Sequence, residues 1–146
     1  MPQSFVSNNQ HIVFSTFERA PTIATENQNK LWGYLAGISK NLGCHPMAIG
    51  GIEDHLHLLI AFPANLDVAE YVNKLKSSSS KWMKQFRKDF AWQKGYGSFS
   101  VSASNLASVT RYIGRQPEHH KKIDSRAEFL LLLEKHSVAF EERFVE

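Results

Sequence analysis

Two imidazoles one residue apart, in His55-Leu56-His57, are the first side chains in this chain whose types and spacing suit shared chemistry. In an extended strand alternate residues share a face and lie about 6.5–7 Å apart along the chain. Two rings so placed can converge on one metal ion, while Leu56, Leu58 and Ile60 turn into a core. A solvated sheet face carries the same pattern, so the pair alone leaves both readings open. The metal reading brings a further expectation. The rings face an open site, and replacing either with Ala costs activity but little stability.

A second pair, Tyr112-x-x-x-Gln116, has the i, i+4 spacing that puts two side chains on one helix face, a turn apart. A phenol can act as a covalent nucleophile, and a Gln carbonyl is a neutral oxygen ligand for a hard metal. Tyr112 is equally well placed as an amphipathic residue at the edge of the stripe Leu106, Val109 and Ile113. His119 and His120 follow closely, and their spacing does not choose between phosphate, metal and no ligand. Finally, Lys74, Lys81, Lys84 and Lys88 share one face of a long helical segment with Ser77. Such a face either binds phosphates or simply keeps the protein solvated.

These residues need elements to position them. His11–Phe17 alternates and is rich in β-branched and aromatic residues, which predicts a first strand. Thr25 caps a helix reaching about Leu42, where Gly43 marks its stop. Cys44–Ile52 and His55–Phe62 read as two strands joined at Glu53-Asp54. Asp67 and Glu70 open a long helix to about Lys88, whose apolar stripe is Val68, Val72, Leu75, Trp82 and Phe86, with Ser79 as a small polar member. Trp82 and Trp92 read as core residues rather than base-stacking platforms. Phe99–Ser102 is a short fourth strand, Asn105–Gln116 the helix of Tyr112, and Arg126–Val138 a last amphipathic helix. Gly114 lies inside the Tyr112 helix and Pro117 directly after Gln116; both loosen it. The order β-α-β-β-α-β followed by helices predicts an α+β, ferredoxin-like fold, an antiparallel sheet with two helices on one face.

With 146 residues, 42% of them hydrophobic, the chain suits a single domain, residues 1–146, with a real core. No apolar run is long enough to span a bilayer, and the polar N-terminus lacks a signal-peptide pattern, so a cytoplasmic protein is expected. The lone Cys44 excludes an internal disulfide and reads as a small core residue. A net charge of +3 is weak support for a nucleic-acid partner, and its clustering on the lysine face says more.

Taken together the motifs are specific. His55-Leu56-His57 after Glu53-Asp54 is followed by Gly95-Tyr96-Gly97-Ser98-Phe99-Ser100-Val101-Ser102. Val109 and Tyr112-Ile113-x-x-Gln116-x-x-His119-His120 come next. From about residue 10 to 130 the chain resembles the single-tyrosine HUH transposases of the insertion sequences numbered two hundred and six hundred and five. The resemblance implies the HUH endonuclease fold, with Tyr112 as nucleophile and His55, His57 and Gln116 as ligands of Mg²⁺ or Mn²⁺. It also implies cutting and rejoining of single-stranded DNA at element ends through a 5′-phosphotyrosine. Partners implied are DNA with subterminal hairpins, contacted by Lys74, Lys81, Lys84 and Lys88, and a second copy whose Tyr helix completes the metal site. Two rivals stand beside this reading. One is a non-catalytic or domesticated nucleic-acid-binding protein of the same fold. The other is a metal-dependent hydrolase using His55, His57 and a water, which leaves Tyr112 without a role.

Overall fold

A computed structural model describes residues 4–141 and 145. Four strands, β1 (Asn9–Ser15), β2 (His45–Gly51), β3 (His55–Ala61) and β4 (Gly97–Ser100), form one antiparallel sheet in the order β2-β3-β1-β4. Between β1 and β2 runs α1 (Thr25–Asn41), and between β3 and β4 runs α2 (Val68–Met83). This is the predicted β-α-β-β-α-β unit. After β4 come α3 (Leu106–Gly114), a single-turn helix α4 (Gln116–His119), and α5 (Ser125–Lys135).

Strand register decides which residues share a face. Ile12 pairs with Leu58 and Phe14 with Leu56, while Val13 pairs with His57 and Ser15 with His55. On the first face Ile12, Phe14, Leu56, Leu58 and Ile60 pack with Leu31 and Leu35 of α1 and with Tyr71, Val72 and Leu75 of α2. Fully burying each such aliphatic side chain contributes about 1.5–3 kcal/mol, so this layer holds the domain together. The opposite face carries the histidines. There Val13 and Phe99 pack against Leu132 and Leu133 of α5, so the trailing helices cover this side too.

The ends of several elements differ from the sequence expectation, for local reasons. Strand β1 ends at Ser15 instead of Phe17, because the Thr16 N–H turns to the Asp54 carbonyl at 2.9 Å and Phe17 is left exposed. Thr25 is the first residue of α1 rather than its cap, and Gly43 (φ 84°) takes the left-handed conformation that ends it. At α2 the Asp67 carboxylate accepts from the Glu70 N–H, as expected, but the helix stops at Met83 rather than near Lys88. The chain turns there to bury Phe90, and Phe86 is left partly exposed against Trp82. Ser79, buried in the stripe, donates to the Leu75 carbonyl and accepts from the Trp92 indole N–H at 2.9 Å.

Candidate active site

The Tyr112 helix is anchored by one close approach. Gly50 pairs with His57 across β2 and β3, and a Cβ at Gly50 would sit 2.8 Å from the Ile113 carbonyl oxygen. Only glycine lets α3 lie backbone-to-backbone on β2, and that contact brings Tyr112 over the histidine face. The helix then breaks. Gly114 ends α3, Arg115 leaves helical geometry (φ −100°, ψ 14°), and Pro117 opens α4. The predicted continuous helix to Gln116 is therefore two pieces, as the Gly and Pro around the junction favour. Gln116 nevertheless reaches the site from the first turn of α4, its Oε1 3.1 Å from His55 Nε2 and 2.8 Å from His120 Nε2.

At the centre lies a residue the sequence reading did not single out, Glu128 of α5. Its Oε1 is 2.8 Å from His57 Nε2, 3.3 Å from His55 Nε2 and 3.2 Å from His120 Nε2. Its Oε2 accepts from the Tyr112 hydroxyl and from Gln116 Nε2 at 3.1 Å, and lies 3.2 Å from His119 Nε2. Six groups thus crowd a carboxylate with about four lone-pair directions. The site is not open as expected: His55, His57, Gln116 and Glu128 are 1%, 0%, 0% and 2% exposed. Alanine at either histidine would therefore disturb a buried polar network, and stability would suffer with activity.

A second layer fixes the rings. His55 Nδ1 is 2.8 Å from Asp54 Oδ1, which also accepts from Ser125 Oγ at 2.7 Å. His57 Nδ1 is 2.8 Å from His11 Nε2. Both metal-candidate rings consequently turn Nε2 toward Glu128, the arrangement by which outer partners orient metal-binding imidazoles. Burial alone would lower the His55 pKa, but hydrogen bonds to Asp54 and Glu128 outweigh it and raise the ring to about 9. Burial takes His57 down to about 4 despite Glu128, and burial with neighbouring His57 takes His11 to about 3. Burial also opposes ionisation of Glu128, yet hydrogen bonds from His120, His55 and His57 hold its carboxyl far below the usual range. The Tyr112 phenol is pushed up, first by burial and then by the Glu128 carboxylate.

The donor set fits a metal ion. His55, His57, His120 and Glu128 each offer a ligand atom, all within 4.8 Å of one another. His55 faces oxygen on both sides, Asp54 at Nδ1 and Gln116 with Glu128 at Nε2. His120 does the same, with the Ile123 carbonyl at Nδ1. A ring between two sets of acceptors needs two protons, or one proton and a cation, and a dication would take the place of several protons at once.

Tyr112, His55, His57 and Gln116 are brought together within one chain, through Glu128. Lys74, Lys81, Lys84 and Lys88 are not part of this group. Helix α2, which carries Lys74 and Lys81, packs on the opposite face of the sheet. Lys84 and Lys88 follow its last residue, Met83, so the four do not share one helix face. Lys74 pairs with Glu70 at 3.1 Å, and Lys84 donates to the Phe90 carbonyl at 2.7 Å. Beside Tyr112, cations include instead Arg111, Arg115 and Lys122 on one side and Lys135 on the other. His120 stands in the sequence reading as one of a His-His pair whose spacing does not choose between phosphate, metal and no ligand, and His11 only as a strand residue. The signals for both were faint: a polar ring in a β-branched strand, and a His-His pair just past a helix.

Residues 4–116 match the sequence profile described as "Transposase IS200 like". The chain belongs to the IS200-like transposase family. The match ends at Gln116, so His120 and Glu128 lie beyond it. Two solved structures share the fold. One, described as a "putative transposase" from Deinococcus radiodurans R1, has 22% identity and a TM-score of 0.63, covering 80% of this chain and 96% of that one. The other is a REP-associated tyrosine transposase bound to a REP hairpin, with 13% identity and a TM-score of 0.63, covering 84% and 74%. At these identities the likeness is one of fold, and it agrees with the predicted α+β class. No curated protein matches the chain. For this IS200-like chain, no helix among the described residues is long and apolar enough to cross a membrane.

Proposed function

We propose that this protein cuts and rejoins single-stranded DNA through a covalent bond between Tyr112 and a 5′-phosphate. One observation carries the proposal: the Tyr112 hydroxyl, on a separate helix, shares the Glu128 carboxylate with His55, His57 and Gln116. A nucleophile, a base and a metal-binding group are thus in hydrogen-bond contact. Membership of a transposase family and a hairpin-bound structural neighbour support DNA as the substrate.

A tyrosine with an ordinary pKa of about 10 needs help to ionise at neutral pH. Glu128 accepts the phenolic hydrogen bond and, with its carboxyl held far below the usual range, relays the proton to His119 Nε2, 3.2 Å from the same oxygen, rather than keeping it. The Tyr112 oxygen then forms the new bond to phosphorus, and the bond from phosphorus to the 3′-oxygen breaks in line with it. The leaving 3′-oxygen takes a proton from an acid of the site, for which His119, half-buried beside Tyr112 and Glu128, is suited. Reversal with a different 3′-hydroxyl joins new strands, and the phosphotyrosine keeps the bond energy between the two steps. His55, His57 and Glu128, with His120 and Gln116 beside them, would hold a dication. It would lend Lewis acidity to the phosphate oxygens. Three imidazoles with one carboxylate suit Mn²⁺ better than Mg²⁺.

Incubation of the wild-type protein with labelled single-stranded DNA and Mn²⁺ should give a protein–DNA adduct that survives denaturation. Tyr112→Phe should give none while still binding DNA. Cleavage without an adduct would instead favour a hydrolase using water. Binding without either would favour the non-catalytic reading, and an adduct persisting in Tyr112→Phe would move the nucleophile to Tyr96.

A further inference from the structure

Tyr112 stands between two hollows of different character. The first, about 410 Å³, is lined by Arg111, Arg115 and Lys122, with Glu118 as its one carboxylate. The second, about 510 Å³, lies between α3 and α5 and has a mixed wall. Ser100, Asn105 and Ser108 offer hydrogen-bonding groups, Leu131 is 55% exposed, and Lys135 lies along the wall. His136 also lines it, its ring stacked on Phe99 at 4.6 Å and 23°. Ser108, Tyr112 and His119 border both hollows.

We propose that the two hollows form one seat for the nucleotide immediately 3′ of the cut, its base in the mixed cavity and the strand's phosphates along the basic one. This rests on the strand-transfer reading above and goes further, because it names which nucleotide is held and by what. A nucleotide has a flat apolar body with a polar edge on one side and a polyanionic backbone on the other. The cavity volume lies in the range of about 300–1,000 Å³ that takes small organic groups. Its flat imidazole is a stacking surface, and its amide and hydroxyls can meet a base edge. Three cations against one carboxylate suit phosphates. The choice of nucleotide follows from the chemistry. After cleavage the upstream strand departs with its 3′-hydroxyl, and the nucleotide tethered to Tyr112 through its 5′-phosphate is the one left within a sugar's reach of the phenol. Holding its base keeps the phosphotyrosine aligned while 3′ ends exchange.

The test uses adduct formation on a random-sequence pool of single-stranded DNA with Mn²⁺. Sequencing of the attached strands gives a preferred substrate, and single abasic sites are then walked through it. An abasic site at the first attached nucleotide should lower adduct yield about tenfold, the size of one lost base contact. In Ser108→Trp, which fills the cavity from the exposed face of α3, yield on the intact substrate should already be about tenfold lower. The abasic site should then cost nothing more. Asn105→Ala should show a smaller loss of the same kind, and Arg111→Ala should lower yield alike at every abasic position. Mn²⁺ binding and thermal melting of each variant report whether the fold is kept. The seat is overturned if the first attached position is indifferent, if an upstream position responds in its place, or if folded Ser108→Trp and Asn105→Ala behave as wild type. Absence of any adduct with the wild-type protein would remove the strand-transfer reading itself, and the seat with it.

Discussion

The two faces of β3 are equally buried and differently made. Leu56, Leu58 and Ile60 meet α1 and α2, elements that come before or just after the strand and repeat apolar residues at helical spacing. His55 and His57 meet α3, α4 and α5, which come far later in the chain and bring Tyr112, Gln116, His120 and Glu128. The first face is joined by non-directional contacts, so many side chains of the right size would serve. The second is joined by hydrogen bonds with fixed partners, and each ring nitrogen has an assigned neighbour. A strand can therefore be an apolar wall on one side and a polar, hydrogen-bonded network on the other without either side meeting solvent.

Substitutions at neighbouring positions can break this contrast. Leu58→Ala should destabilise the fold by about 2–5 kcal/mol in urea unfolding, while the protein that remains folded binds Mn²⁺ as before. His57→Ala should abolish Mn²⁺ binding. If Leu58→Ala lost the ion as completely, the two faces would not be separable. The outer layer should show a smaller effect. His11→Phe should weaken Mn²⁺ binding about 10–100-fold by calorimetry, since His57 loses the partner at its Nδ1, and His11→Gln should restore part of it. Equal affinity in all three proteins would reduce His11 to a packing residue.

A pH titration gives a finer view. His55 is raised to about 9 in the metal-free fold against an ordinary 6.5, so its contribution to stability is full below 6.5 and lost as pH rises through 9. His57 and His11 are lowered, and their effect is complete by pH 6.5. Lys76, which burial lowers to about 8, acts with the opposite sign above that value. Metal-free protein should therefore melt at a lower temperature at pH 8 than at 6.5, and Asp54→Asn should shrink the difference. A melting temperature that rises over this interval would contradict the assignment. The smallest effect concerns the far side of the sheet. Lys81→Ala on α2, or Lys88→Ala in the turn beyond it, should each flatten the salt dependence of hairpin binding by a slope of about one, if that face docks DNA. Unchanged slopes would leave that face a solubilising one and move the hairpin toward the Gly95–Gly97 loop or His119 and His120.

Periodicity made the apolar half of this molecule legible. The β-α-β-β-α-β order, the Asp67 cap and the inward turn of Leu56, Leu58 and Ile60 all follow from local patterns, and local patterns are what a sequence displays directly. His55, His57, Tyr112 and Gln116 were legible as chemical types at suggestive spacings. Glu128 was not, because a glutamate in an amphipathic helix looks like any solvent-facing one until the tertiary fold turns it inward. The role of Gly50 was hidden for a similar reason. A glycine near the end of a strand gives no sign that another helix's backbone will lie against it. Element ends shifted where a distant residue such as Phe90 had to be buried, which no short window contains.

The break at Arg115 makes the site a jointed assembly. Tyr112 belongs to a rod fastened to β2 at Gly50, whereas Gln116, His120 and Glu128 belong to pieces fastened around β3. Had the helix continued, the phenol and the Gln116 amide would be locked at a fixed axial offset, and any swing of one would drag the other. With the joint, the two sets of side chains are held by separate anchors, α3 on β2 at Gly50 and the later pieces around the Glu128 carboxylate. The phenol and the imidazole–carboxylate group can then be altered as separate parts.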